Sequence, residues 1–423
     1  MATPDKPDNA WNFHGDHSDL VAETHARPSQ PVSGPAEIFH LAIRCNEQTI
    51  EQFFSQLDAG SVRSGPRHWS GTLGPVKVKL EQHTEFTSLT LFHELEKQAE
   101  PETVPGLLKE RFPMEAVEIL VLIRLTIASS APAMLKSLAG GHRIYGGKIR
   151  NRIDMRSSFV PDETGMIHFA VYGKDQTPEE LGRRIQRLLE METYRTMSLL
   201  GLPVARRVGA QISACETRLS ELTRQLRQGA GGSQTEDEAL FRELTGLSEQ
   251  NNILLTETRY RFAASRAYFT LFRQRIESLE EEKVGDVQTM SGFLRSRIEP
   301  AMATIESTSK RQETLNDDLS RAIALLRTRI ELNLNKGNQN LLKSMDRRHD
   351  QQLKISQTVE GLSIIAITYY AVGLASYFLK ALAAQDWVPF SEKLLTAASV
   401  PVIFLMVFVG LRKLRKAWEE RTP

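Results

Sequence analysis

Glu360, Ser363, Ile367, Tyr370, Leu374 and Tyr377 follow one another at spacings of three and four, so a carboxylate and several hydroxyl groups share one face of a helix. The rest of that segment is apolar. In a parallel oligomer such a face would line a pore, its hydroxyl rings replacing part of an ion's water shell and Glu360 drawing cations to the mouth. The plainer reading is hydrogen bonding between the helices of an ordinary bundle, with Tyr at the interfaces. Upstream, Asp346 and Asp350 stand at i and i+4. Two carboxylates on one face suit a hard divalent cation shared between subunits, as ligand or as substrate. Arg347 and Arg348 beside them make a solvated charged face the competing reading.

Other residues with chemical potential lie near the start of the chain. "HGDH" (His14 to His17) with His25 offers imidazoles and a carboxylate for a transition metal, although nothing in the spacing fixes their geometry. "ETHARP" suits a docking segment, in which Glu23 and His25 join Arg27, placed to pair a carboxylate, and Pro28, which holds an extended backbone. "LAGGHRIYGGK" (Leu138 to Lys148) could present amides to a phosphate, but its spacing fits no phosphate loop and two hairpin turns explain it as well. The chain contains no Gly-x-Ser-x-Gly, Walker A or His-Glu-x-x-His run, so no enzyme and no resident cofactor are expected.

These residues need elements to hold them. From Leu362 to Leu379 no residue is charged, and with its flanks the stretch reaches the length of a bilayer-spanning helix. Leu394 to Leu411 is a second such stretch, containing Pro401, which a membrane helix tolerates. The short segment between them makes the pair a hairpin. Lys343, Arg347, Arg348 and Lys354 precede the first span, and Arg412, Lys413, Arg415 and Lys416 follow the second, against Lys380 and Lys393 in the loop. The positive-inside rule then places both termini in the cytoplasm of a bacterial inner membrane, with Trp387 and Trp418 at the interfaces.

The 423 residues suffice for two or three domains, and 53 Lys plus Arg against 52 Asp plus Glu give no charge imbalance pointing to nucleic acid. Cys45 and Cys215 stand alone, which fits a reducing compartment. After an arm over 1–34, apolar positions between Pro35 and Leu57 predict one amphipathic helix. "VKVKL" (Val76 to Leu80) and "FTSLTLF" (Phe86 to Phe92) alternate as an antiparallel strand pair, and 117–127, 143–160 and 165–173 supply further strands. Residues 35–175 thus read as an α/β or α+β cytoplasmic domain. Thr177 as N-cap, Pro178 and Glu180 open a helical hairpin over 176–284, followed by a stalk helix over 285–358 and the two spans over 359–423. On the stalk, Leu294, Ile298, Ala301, Ile305, Thr308, Gln312, Leu315, Leu319, Ala322 and Leu326 form a heptad seam that wants a partner helix. Gly337 and "NLNKGNQN" weaken a helix that, if continuous from Gln288 to Leu379, would be on the order of 140 Å long.

"ETHARP", "HTEFTS" (His83 to Ser88), "RLLEMETYR" (Arg187 to Arg195), "LLGLPVAR" (Leu199 to Arg206) and "QTVEGLSIIAITYY" (Gln357 to Tyr370) resemble a bacterial family of membrane-anchored proteins, domain of unknown function 3422. That resemblance spans nearly the whole chain and brings no chemistry. The order of parts is also similar to the CorA-type divalent-cation transporters. This second resemblance implies a pentamer around the first span and a Gly-Met-Asn filter at its outer end. Here that place reads Ser376, Tyr377, Phe378, Leu379, Lys380, without the filter. The expectation is a parallel homo-oligomer that carries a cation without that filter; its alternative is an anchored scaffold that recruits a cytoplasmic partner.

Overall fold

The computed structural model describes residues 14–15, 17, 21, 29–58, 61–65, 67–95, 103–111, 117–138, 140–150, 152–173, 176–228, 233–383 and 392–419. The chain divides into two compact units, Met1–Gly231 with Ala239–Ile323, and Gly232–Glu238 with Ala324–Pro423.

The first unit is mixed α/β. Its strands are β1 (Ala36–Arg44), β2 (Val62–Gly65), β3 (His68–Leu73), β4 (Val76–Gln82), β5 (Thr87–Glu94), β6 (Glu118–Ile127), β7 (Tyr145–Ile149), β8 (Ile153–Pro161), β9 (Ile167–Gly173) and β10 (Glu281–Glu282). Among the described residues they form one ten-stranded sheet in the order β10-β7-β8-β9-β6-β1-β5-β4-β3-β2. β6 and β9 pair in parallel, and the other neighbours are antiparallel. β4 and β5 are the expected antiparallel pair, with Val76, Val78 and Leu80 buried and Lys77 exposed between them.

β1 corrects the expected amphipathic helix over Pro35 to Leu57, of which only α1 (Glu47–Phe54) is helical. Every residue of β1 from Ala36 to Ile43 is buried, because it is a central strand covered on both faces. Such a strand reads as a continuous apolar run, and Ile38, Leu41 and Ala42 within it imitate a helical spacing. Phe39, Leu41 and Ile43 enter one core with Ile50 and Phe53 of α1 and with Val104 and Leu108 of α2 (Thr103–Arg111). Ile38 and Ala42 enter the opposite core with Ile185, Leu188 and Leu189 of α4 (Pro178–Leu199); α3 (Ala131–Ser137) adds a smaller cluster through Met134. α4 begins as expected, with the Thr177 hydroxyl accepting from the Glu180 amide at 3.3 Å and Pro178 in the first turn.

Gly140 and Gly141 lie in the loop after α3, whereas Gly146 and Gly147 sit inside β7 rather than in a second turn. A Cβ on Gly147 would lie 2.2 Å from the Glu282 carbonyl oxygen, so this glycine admits the close approach of β10. β10 in turn uses the Glu281 carboxylate to accept from the Met290 and Ser291 amides, each at 2.8 Å, at the start of the next helix. An acidic side chain there satisfies exposed N–H groups and complements the helix dipole.

α5 (Gly201–Gln228), α6 (Gln234–Ser278) and α7 (Met290–Ala383) are the long helices. Within the first unit the seam of α7 is filled by the same chain: Leu294, Ile298, Met302 and Ile305 share a core with Phe262, Phe272 and Ile276 of α6 and Ala205 of α5. The polar seam positions are also matched, since Gln312 Oε1 accepts from the Thr258 hydroxyl at 3.0 Å and the Thr308 hydroxyl donates to the Thr304 carbonyl at 2.8 Å, while beside the seam Arg311 binds the Glu216 carboxylate with two nitrogens. Met302, not Ala301, occupies the core. Spacings 298-301-305 and 298-302-305 both satisfy the heptad, and the larger apolar side chain fills the volume.

In the second unit α7 continues through Gly337 and the Asn-rich stretch without a break, and α8 (Glu392–Glu419) follows, containing Pro401. The buried Asp237 carboxylate lies 3.2 Å from Arg329 and 3.3 Å from the Asn333 amide nitrogen. α7 and α8 are long and apolar enough to cross a membrane. The most apolar eighteen-residue stretch of α7 is 6% buried and that of α8 is 0% buried, whereas a core helix of this composition would be covered by its own chain.

Candidate functional site

The face picked out by sequence is an exposed face of α7. Tyr370 is 71%, Leu374 73% and Tyr377 74% exposed, and Ile367 and Ser363 are exposed with them. Glu360, at the cytoplasmic-side end of the series in the expected topology, is half-buried. The burial that α7 has in this stretch lies on the other side, on Ile364, Thr368, Val372, Ala375 and Leu379. α8 likewise has one half-buried stripe, Thr396, Ser399, Ile403, Val407 and Leu411.

Hydroxyl groups are not confined to the exposed face. Thr368 is 9% exposed on the covered side, and Tyr369, beyond the predicted series, is 75% exposed and packs edge-on against Tyr370 with ring centroids 5.8 Å apart. The Ser363 hydroxyl donates to the Val359 carbonyl at 2.8 Å and Ser376 to Gly373 at 2.7 Å. Each serine thus commits its proton to the helix backbone, and its oxygen retains acceptor capacity. The period of three and four selects one face and therefore passes over Thr368 and Tyr369; the cue for both was the bare residue type.

Asp346 and Asp350 are exposed on α7, one turn apart. Among the described residues no group of three or more His, Cys, Asp or Glu side chains could hold a metal ion. Two carboxylates from this chain would need water or a second copy to complete an oxygen shell for a divalent cation. Glu23, His25, Arg27 and Pro28 lie outside the described residues.

A site that sequence reasoning missed lies between the sheet and α4, lined by His40, Lys79, Glu81, His83, Thr90 and Thr193. Its room is about 40 Å³, enough for a water but not for a substrate. Thr193 gives its hydroxyl proton to the Leu189 carbonyl at 2.9 Å, so its oxygen accepts from His40 Nε2–H at 3.0 Å, and His40 Nδ1 accepts from the Thr90 hydroxyl at 2.8 Å. Burial lowers His40 to about 4 and keeps the ring neutral. With both nitrogens committed and its basicity lost, His40 fastens β1 and β5 to α4. Burial works against ionisation of Glu81, but the His68 ring and the Lys79 ammonium outweigh it and hold the carboxyl at about 2. The signal for His40 was a polar residue alternating with Ile38 and Ala42 on one strand face.

No curated protein matches the chain. Residues 12–418 match the model of the family described as protein of unknown function (DUF3422), and the chain belongs to that family.

Proposed function

We propose that the protein is an ion conduit of a bacterial inner membrane, a CorA-like parallel homo-oligomer, pentameric by that resemblance, that passes cations without a Gly-Met-Asn filter. The observation that carries this reading is the exposure of Tyr370 and Tyr377 on the face of α7 that also bears Glu360 and Ser363. Polar groups of a membrane helix belong toward protein or water rather than lipid, so a face that the chain leaves uncovered calls for other copies around it. Both termini lie in the cytoplasm in this reading, by the basic residues flanking the spans. The chain catalyses no reaction, and a divalent cation is its substrate or ligand.

Reconstitution of the full-length protein into liposomes tests the reading. Mg²⁺ or K⁺ flux under a potential or pH gradient is expected, reduced by Glu360→Gln and Tyr370→Phe; vesicles that pass no cation would refute it. A second reading, an anchored scaffold with a cytoplasmic partner, draws on the filling of the α7 seam by α5 and α6, which removes that seam as a reason to assemble. Deleting 359–423 separates the two, because a scaffold keeps its partner and a conduit loses all function.

A further inference from the structure

The first unit carries a second cleft, far more charged than the one at His40. It opens where the β7–β8 turn, the first three turns of α4 and the end of α6 meet, and holds about 650 Å³, the size of a small-molecule site. Five guanidinium groups line it, Arg150, Arg152, Arg183, Arg184 and Arg187, against two carboxylates, Glu180 and Glu280, which leaves three cations in excess.

Three observations distinguish it from a solvated basic surface. Arg184 and Arg187 both donate to one acceptor, the Ser278 carbonyl, at 3.0 and 3.1 Å, so two like charges are held together by backbone rather than spread apart. Arg150 grips Glu280 with two nitrogens at 2.7 and 2.6 Å, and both residues have left-handed backbone, φ 48° and φ 54°, a conformation that non-glycine residues adopt where the surroundings impose it. Burial and the charges of Arg187 and Arg150 press Arg184 below the ordinary guanidinium range, as expected for crowded cations short of an anion. Arg152 and Arg183 have no carboxylate partner among the described residues, and each guanidinium has more donors than the bonds above consume.

We propose that this cleft binds a multiply charged phosphate group, presented either by a soluble polyphosphate or by a lipid headgroup. Planar guanidiniums from α4 and from the β7–β8 turn would fork onto its oxygens, and Glu280 holds Arg150 in place for it. The inference stands independently of ion conduction.

Titration calorimetry of the full-length protein in a nonionic detergent tests it, with pyrophosphate and water-soluble dihexanoyl phosphatidic acid as the two probes. Saturable binding of at least one probe is expected, weaker at higher salt, and weakened about tenfold or more in the Arg183→Gln/Arg184→Gln chain. Pyrophosphate binding assigns a soluble source, and binding of the lipid analogue alone assigns a headgroup. Arg152→Gln, at an exposed position, is expected to weaken binding less and to leave the melting temperature unchanged. No heat from either probe, or equal affinity in the folded double variant, would overturn the proposal.

Discussion

The two stretches of α7 on either side of Ile323 belong to one helix and meet opposite environments. Before it, Leu294, Ile298, Ile305, Leu315 and Leu319 are at most 2% exposed, packed by the chain's own helices. Beyond it Leu326 is still fully buried, but from Leu332 onward the helix is bared: Leu332, Leu341, Leu342, Met345 and Ile355 are each more than half exposed, and so are Leu362, Tyr370, Leu374 and Tyr377. A helix this long is stable in its first part through tertiary packing, while its second part relies on helix propensity and on whatever covers its apolar surface. For the most apolar stretch the chain's own composition points to a bilayer.

The difference can be broken most strongly in the packed part. Phe272→Ala, in the core that α7 shares with α6, is expected to cost about 3–5 kcal/mol in denaturant unfolding of the first unit. A loss under 1 kcal/mol would mean that the helices part before the unit unfolds. Next in size, Leu374→Arg should raise the cost of membrane insertion by about 2.5–3.5 kcal/mol, read as a reduced inserted fraction in a translocation assay. Unchanged insertion would place position 374 outside the hydrocarbon layer.

A comparable effect comes from pH. His40 ionises near 4 in the folded chain against an ordinary 6.5, so on acidification the unfolded chain takes up the proton first. Its stabilising contribution is complete above pH 6.5 and falls away between 6.5 and 4, by about 3 kcal/mol. The His40→Leu chain should lose that part of the slope in pH-dependent denaturation; an unaltered slope would assign it to other groups. The smallest effect sharpens the comparison most: Leu341→Ala, 61% exposed, is expected to stay within about 0.5 kcal/mol in monomeric detergent-solubilised protein. A loss of several kcal/mol confined to higher protein concentration would reveal a second copy on that face.

Much of this was legible in advance, and the failures have a common origin. β4 and β5 alternate with period two because one face is wet, and Thr177 with Pro178 announces the start of α4 through local capping chemistry. β1 carries no such alternation, because burial on both faces erases it and leaves a spacing that imitates a helix. β10, two residues long, has no pattern at all and exists because Gly147 lets it close on β7. The candidate pore face was visible as a period, but Thr368, Tyr369 and the arginine cleft were not, since the cleft gathers Arg150 and Arg152, Arg183, Arg184 and Arg187, and Ser278 and Glu280 from separate elements.

Local and periodic properties were therefore set by the sequence alone: the two apolar helices, the seam of α7, the caps and the hairpin of β4 and β5. Each depends on residues within a few positions of one another, where spacing maps directly onto geometry. Partnership was decided only in three dimensions. A heptad seam states that an apolar stripe must be covered, and it is silent on whether another copy or the same chain covers it; here α5 and α6 of the same chain cover it, a contact between elements far apart in sequence that no local spacing encodes.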